Sequence, residues 1–176
     1  FSGTFTLWLI LSKFSISTQG YYYTFSSILG INLFFELGLS PVLQNYSSHE
    51  WSNLKYNIAS EKVEGDSDSF NRLSSVFMFG LKWFCYGSFF YFLVLMGAGY
   101  VVFDKINDQN FNWISPWVIV SLLSSCNFIF TPIWALLEGC NQVNKLYKFR
   151  LLQIVIVNFF LWGAIFLGLD LWTTAI

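Results

Sequence analysis

One carboxylate, Glu36, stands in GYYYTFSSILGINLFFELGLSPVL, a stretch with no other charged side chain. In a bilayer such a group can take up and release a proton, hold a cation, or tie two helices together. Ionised near mid-membrane it costs about 2.5 to 3.5 kcal/mol, so it must face other helices or a watery cavity, or carry a proton. Asn32 and Ser40 stand four residues before and after it, and on a continuous helix Thr24 and Gln44 continue the same polar stripe. Gly38 and Pro41 weaken the backbone ladder just beyond Glu36, which predicts a bend. A second set lies in 114–137. At 100° per residue Ser121, Ser124, Thr131 and Glu138 fall within an arc of roughly 100°, and Asn127 extends it by about 20°. Pro132 predicts a kink near Thr131.

Most of these side chains have an alternative, purely structural role. Serine, threonine and asparagine serve as interhelical hydrogen bonds worth about 0.6 kcal/mol each, and Glu138 at the end of its segment can be solvated or pair with Lys145 or Lys148. Glu36 differs, because its cost at depth is several times what such a bond returns. Glu36, Asn32, Ser40, Asn127 and Thr131 are therefore the candidate lining of a substrate or cation pathway, and Lys82 a candidate headgroup contact. No catalytic residue is singled out, and no metal or cofactor is expected. His49 is the only histidine, and Cys85, Cys126 and Cys140 lie too far apart for a paired metal or redox site. The cysteines read as small apolar packers. Nucleotide-binding loops, zinc-type helices and serine elbows are missing too, and no excess of charge points to nucleic acid.

The elements that must position these residues are membrane helices. Only 11% of the 176 residues are charged, against roughly 25% in soluble domains. Twenty-one phenylalanines and eight tryptophans exceed what a chain of this size can bury in water. The spans expected are 1–12, shortened, then 21–45, 81–103, 114–137 and 151–172, which makes an all-α polytopic bundle of about five transmembrane segments in a single region, 1–176. The short first span predicts a fragment of a longer protein. Seven of the nine lysines and arginines (Lys55, Lys62, Arg72, Lys82, Lys145, Lys148, Arg150) fall to one side, and only Lys13 and Lys105 to the other. By the positive-inside rule 47–80 and 139–150 are cytoplasmic.

The loop 47–80 reads as a mobile or interfacial connector, with Asp68 or Ser69 capping the next helix and Trp51, Leu54, Tyr56 and Ile58 hinting at a short amphipathic piece. Ser115 and Pro116 suit the cap and first turn of the fourth segment. Gly80, Gly87 and Gly97 mark close helix packing, and Asp170 the outer end of the last span. Tyr21 to Tyr23, Trp113, Trp117 and Trp172 read as an aromatic belt at one interface.

TQGYYYTFSSILGINLFFELGLSPVLQNYSSHEW and the later LLEGCNQVNKLYKFRLLQ resemble the bacterial polysaccharide-biosynthesis membrane proteins of the O-antigen flippase type, within the multidrug, oligosaccharidyl-lipid and polysaccharide exporter superfamily. The resemblance implies most of one six-helix lobe of an exporter in the bacterial inner membrane. It implies alternating access that moves a lipid-linked glycan outward, with membrane lipids and the remainder of its own chain as partners. A drug/cation antiporter of the same superfamily and a membrane enzyme of glycan assembly are the alternatives. One departure is that a diphosphate headgroup calls for cations in the cavity, and no lysine or arginine lies deep in 21–45 or 114–137.

Overall fold

The computed structural model describes residues 2–57, 62–106 and 112–175. These described residues run through eight helices and a hairpin: α1 (Ser2–Lys13), α2 (Ile16–Leu29), α3 (Asn32–Glu36), α4 (Leu39–Trp51), β1 (Leu54–Asn57), β2 (Lys62–Gly65), α5 (Ser67–Ile106), α6 (Ile114–Ile129), α7 (Thr131–Gly139) and α8 (Val143–Phe166). A 3-10 turn, Asp170–Ala175, follows. Among the described residues three helical stretches, α5, α6 with α7, and α8, are long and apolar enough to cross a membrane, and the bent pair Ile16–Glu36 and Leu39–Trp51 makes a fourth if counted as one span. Only 11% of the most apolar window of α8 is buried. Residues such as Phe159, Phe160 and Ile154 are exposed along it, a surface that acyl chains tolerate and water does not. The protein is a helical membrane protein.

Several boundaries differ from the sequence expectation. The connector is shorter and more ordered than 47–80, because α4 runs on to Trp51 and α5 begins at Ser67. Between them lies an antiparallel hairpin with Leu54 opposite Gly65, Lys55 opposite Glu64, Tyr56 opposite Val63 and Asn57 opposite Lys62. The amphipathic period of Leu54 and Tyr56 is thus that of a strand, while Trp51 ends α4 and Ile58 lies outside the described residues. The cap of α5 is Asp66, one turn earlier than expected, with its carboxylate accepting from the Ser69 backbone N–H at 2.9 Å and the Ser69 hydroxyl at 2.8 Å. Pro116 does lie in the first turn of α6, but that helix begins at Ile114, ahead of Ser115.

The segment 139–150 is not a loop. α7 ends in a Schellman turn in which Asn141 takes a left-handed conformation (φ 58°), Asn141 N–H donates to Glu138 O, and Gln142 N–H donates to Leu137 O, so α8 starts at Val143. The last helix likewise stops at Phe166 and not at Trp172. Gly168 (φ 71°) donates to Ile165 O and Leu169 to Ala164 O, which leaves Asp170 beyond the helix in the 3-10 turn.

Two compact units divide these elements, and α5, α6 and α8 contribute residues to both. The first (1–32, 90–125, 150–176) has an aromatic interior: Phe25 lies 5.0 Å from Phe103 and 4.7 Å from Trp117, and Phe103 lies 5.3 Å from Trp117. Trp117 is fully buried there and donates its indole N–H to Leu95 O at 3.2 Å, so it is a core residue, not part of an interfacial belt. The Tyr91 hydroxyl donates to Leu29 O at 2.7 Å, capping a carbonyl where α2 ends. A second cluster joins Leu9 and Ile10 of α1, and Phe14 just beyond its end, to Ile165, with Trp162 donating to Thr6 Oγ1 at 2.9 Å.

The second unit (33–89, 126–149) brings helices close at small residues. A Cβ on Gly139 would sit 2.5 Å from Gln44 O and 2.6 Å from Ser47 Cβ, and one on Gly80 would sit 3.0 Å from Leu43. Gly87, as expected, faces a neighbour, Phe128; Gly97 faces open space, and the close approach near it belongs to Gly99, whose Cβ would overlap the Trp117 indole in the first unit. Leu54, Leu73 and Cys140 form a small core under the hairpin, with Trp51, Val63 and Leu136 against it.

Candidate functional site

The span that carries Glu36 is broken twice. α2 closes at Leu29, and Gly30 and Ile31 form a turn before α3. α3 then ends on Glu36, followed by two residues of positive φ, Leu37 (50°) and Gly38 (69°), and the helices on either side are bent by 47°. The expected bend is present, but it lies at Leu37–Gly38. Pro41 sits harmlessly in the first turn of α4, where its missing N–H has no partner to lose.

This break overturns the continuous polar stripe. Two left-handed residues reset the helical phase, so Ser40 and Gln44 on α4 no longer follow Asn32 and Glu36 on α3 at 100° per residue. Asn32 and Glu36 remain one turn apart at the two ends of α3, Asn32 exposed and Glu36 half-buried. Thr24 satisfies itself by donating to Gly20 O at 2.7 Å. Glu36 makes no hydrogen bond or ion pair among the described residues. The Ser40 hydroxyl is buried without a partner among them.

The second expected face is also divided. The kink near Thr131 is a break at Phe130, after which Thr131 and Pro132 open α7; Ile133 and Trp134 both donate to Phe130 O, at 3.1 and 3.3 Å. Thr131 is half-buried and Asn127 exposed. α4 packs against α7, so Ser40 and Thr131 stand on neighbouring helices. Asn32 belongs to the first unit and the other four candidates to the second. Lys82 is exposed on α5, and among the described residues no hydrogen bond or ion pair joins it to the candidates.

A polar constellation that the sequence did not signal lies at the hairpin. Glu50, buried at the end of α4, accepts from Arg72 Nε at 3.1 Å and pairs with Arg72 Nη2 at 3.0 Å through the same oxygen. Arg72 Nη2 also donates to Ser69 Oγ at 2.9 Å, and that hydroxyl donates on to Asp66. The Asp66 carboxyl is held below the usual carboxylate range by these Ser69 hydrogen bonds, side chain first and backbone second. Glu50 and Arg72 stand 22 residues apart, and no local pattern links them. The Asp66-x-x-Ser69 spacing was the one legible trace. This network fastens the hairpin ends to α4 and α5, a structural task.

Cavities among the described residues are lined by other side chains. One of about 350 Å³ lies among Asn112, Pro116 and Gly168 to Trp172, in the first unit. Another of about 370 Å³ lies in the second unit, among Trp134, Leu137, Gln142, Lys145, Leu146 and Phe149. No group of three or more metal-ligating side chains is present among the described residues. Compared with family models, curated proteins and solved structures, the chain matches none of them.

Proposed function

We propose that this chain is part of a membrane transporter that moves a lipid-linked oligosaccharide, a polysaccharide or O-antigen precursor, outward across the bacterial inner membrane by alternating access. The observation that carries this reading is the Glu36 carboxylate, which has no hydrogen-bond or ion-pair partner among the described residues, at the Leu37–Gly38 break of an apolar span. Discontinuous helices with a polar group at the break are the usual construction of a transport site, since irregular backbone at membrane depth is tolerated where it lines a cavity. The concentration of six of the nine lysines and arginines in 47–80 and 139–150 supports a cytoplasmic position for both. Serving the pathway with Glu36 are Ser40 and Thr131, on the packed helices α4 and α7, with Asn32 and Asn127 as polar neighbours.

A drug/cation antiporter is the second reading, and one observation favours it: a carboxylate without a cationic partner among the described residues suits a proton or cation better than a diphosphate. Glu36→Gln in the complete gene product tests both. Glycan export predicts loss of surface polysaccharide at normal protein level in the membrane. Antiport predicts intact polysaccharide with loss of proton-coupled efflux of a cationic dye. If both activities persist, Glu36 has no part in transport.

A further inference from the structure

The turn between α7 and α8 carries a cavity that the transport reading does not use. Trp134, Leu137, Leu146 and Phe149 give it apolar walls, and Gln142 and Lys145 supply its polar groups. Its volume, about 370 Å³, lies within the range of roughly 300 to 1,000 Å³ typical of small-ligand sites. The Trp134 and Phe149 rings stack on each other, 5.8 Å apart and 29° from parallel. Because the Asn141 turn reverses the chain so tightly, the polar side of the cavity coincides with the start of α8. There the first backbone N–H groups of a 24-residue helix are free of intrahelical partners and favour negative charge.

The charge of this stretch of sequence agrees with that polarity. Between Thr131 and Phe149 stand two cations, Lys145, which lines the cavity, and Lys148, against one carboxylate, Glu138. An apolar slot with a cation and a helix N-terminus at one end matches an amphiphile that has an acyl chain and an anionic head. The walls stand on helices that are themselves long and apolar enough to cross a membrane, α7 as the continuation of α6, and α8 with little of its apolar length covered by protein.

We propose that this cavity holds an anionic membrane phospholipid, its acyl chain against Trp134, Leu137, Leu146 and Phe149 and its phosphate at Lys145, Gln142 and the first turn of α8. The proposal rests on the protein spanning a membrane and not on what it transports. A lipid held there by its charge ties the α7–α8 turn to the headgroup layer and fixes the depth of both helices.

The test uses the complete gene product in phosphatidylcholine vesicles carrying increasing fractions of brominated phosphatidylglycerol or, in parallel, brominated phosphatidylcholine. The fluorescence of Trp134 is isolated by subtracting the Trp134→Phe variant. Brominated phosphatidylglycerol is expected to half-quench Trp134 at about a fivefold lower fraction than brominated phosphatidylcholine, as one basic side chain at the surface would give. Lys145→Gln is expected to remove that preference, and Lys145→Arg to keep it. Equal quenching by the two lipids, or a preference that survives Lys145→Gln, overturns the proposal. So does a Trp134 that neither lipid quenches, since the cavity is then filled by protein. Polysaccharide export is not read in this experiment, so its failure and that of the transport reading are separate.

Discussion

The two units share the long apolar helices α5, α6 and α8, yet they close their interiors by different means. The first fills its space with rings: Phe25, Phe103 and Trp117 meet at 4.7 to 5.3 Å. Even its closest helix contact, at Gly99, receives an indole. The second also holds a buried ring pair, Phe84 and Phe128 at 4.9 Å, but adds contact at small residues, so that the backbone of α4 lies against Gly139 of α7. Both breaks that flank the candidate residues, Leu37–Gly38 and Phe130, also belong to the second unit. Aromatic packing fixes helices through interlocked volume, whereas glycine contacts fix them through backbone distance and leave room for helices that are not straight.

The sharpest way to break that comparison is to exchange the two kinds of damage. Trp117→Ala removes a fully buried ring and is expected to destabilise the first unit by about 3 to 5 kcal/mol, read as a fall in the thermal midpoint in detergent. Gly139→Val adds volume where a backbone carbonyl stands and should destabilise by about 1 to 3 kcal/mol. No side-chain substitution relieves it fully, because Gln44 O and Ser48 N are main-chain atoms. If Gly139→Val leaves the midpoint unchanged, the second unit is not closed by backbone contact and the contrast fails. Tyr91→Phe is a smaller change. It deletes the hydrogen bond to Leu29 O and keeps the ring, so a loss of about 1 kcal/mol is expected, while the same loss from the exposed Tyr86→Phe would show that the bond is not the cause.

These differences explain what the sequence could and could not disclose. Apolar length placed the helices over 81–103 and 114–137, because composition alone makes a stretch of that length a span. The bend beside Glu36 was legible in Gly38, but its other half is Leu37 at φ 50°, and no local signal marks a leucine for that conformation. Hence the polar stripe, which assumed one continuous helix, was drawn across a break. The hairpin was missed because a four-residue strand becomes one only by pairing, here Leu54 to Asn57 with Lys62 to Gly65. The Glu50–Arg72 pair depends on the same fold, bridging residues far apart in sequence. Spacing could also not separate Gly97, in open space, from Gly99, against Trp117, since only the neighbouring helix distinguishes them.

Cys140 offers the gentlest test of how tightly the second unit closes. It follows Gly139 directly and is buried with Leu54 and Leu73, and burial pushes its thiol up to about 11. The sign follows from the neutral form being favoured in the fold: that stabilisation is present below the ordinary thiol pKa and is lost as the pH rises toward 11. At pH 8 the thiolate fraction is then roughly a hundredfold below that of an unfolded chain, so a water-soluble maleimide should label Cys140 at least that much more slowly than the denatured protein. Cys85→Ala and Cys126→Ala leave Cys140 as the only thiol for this measurement. Gly139→Val in the same background should accelerate the labelling, and Trp117→Ala should do so less at equal loss of stability, because the ring it removes belongs to the other unit. Rapid labelling of the unmodified second unit would mean that its glycine contacts open readily, and then the two interiors differ in strength as well as in the means by which they are closed.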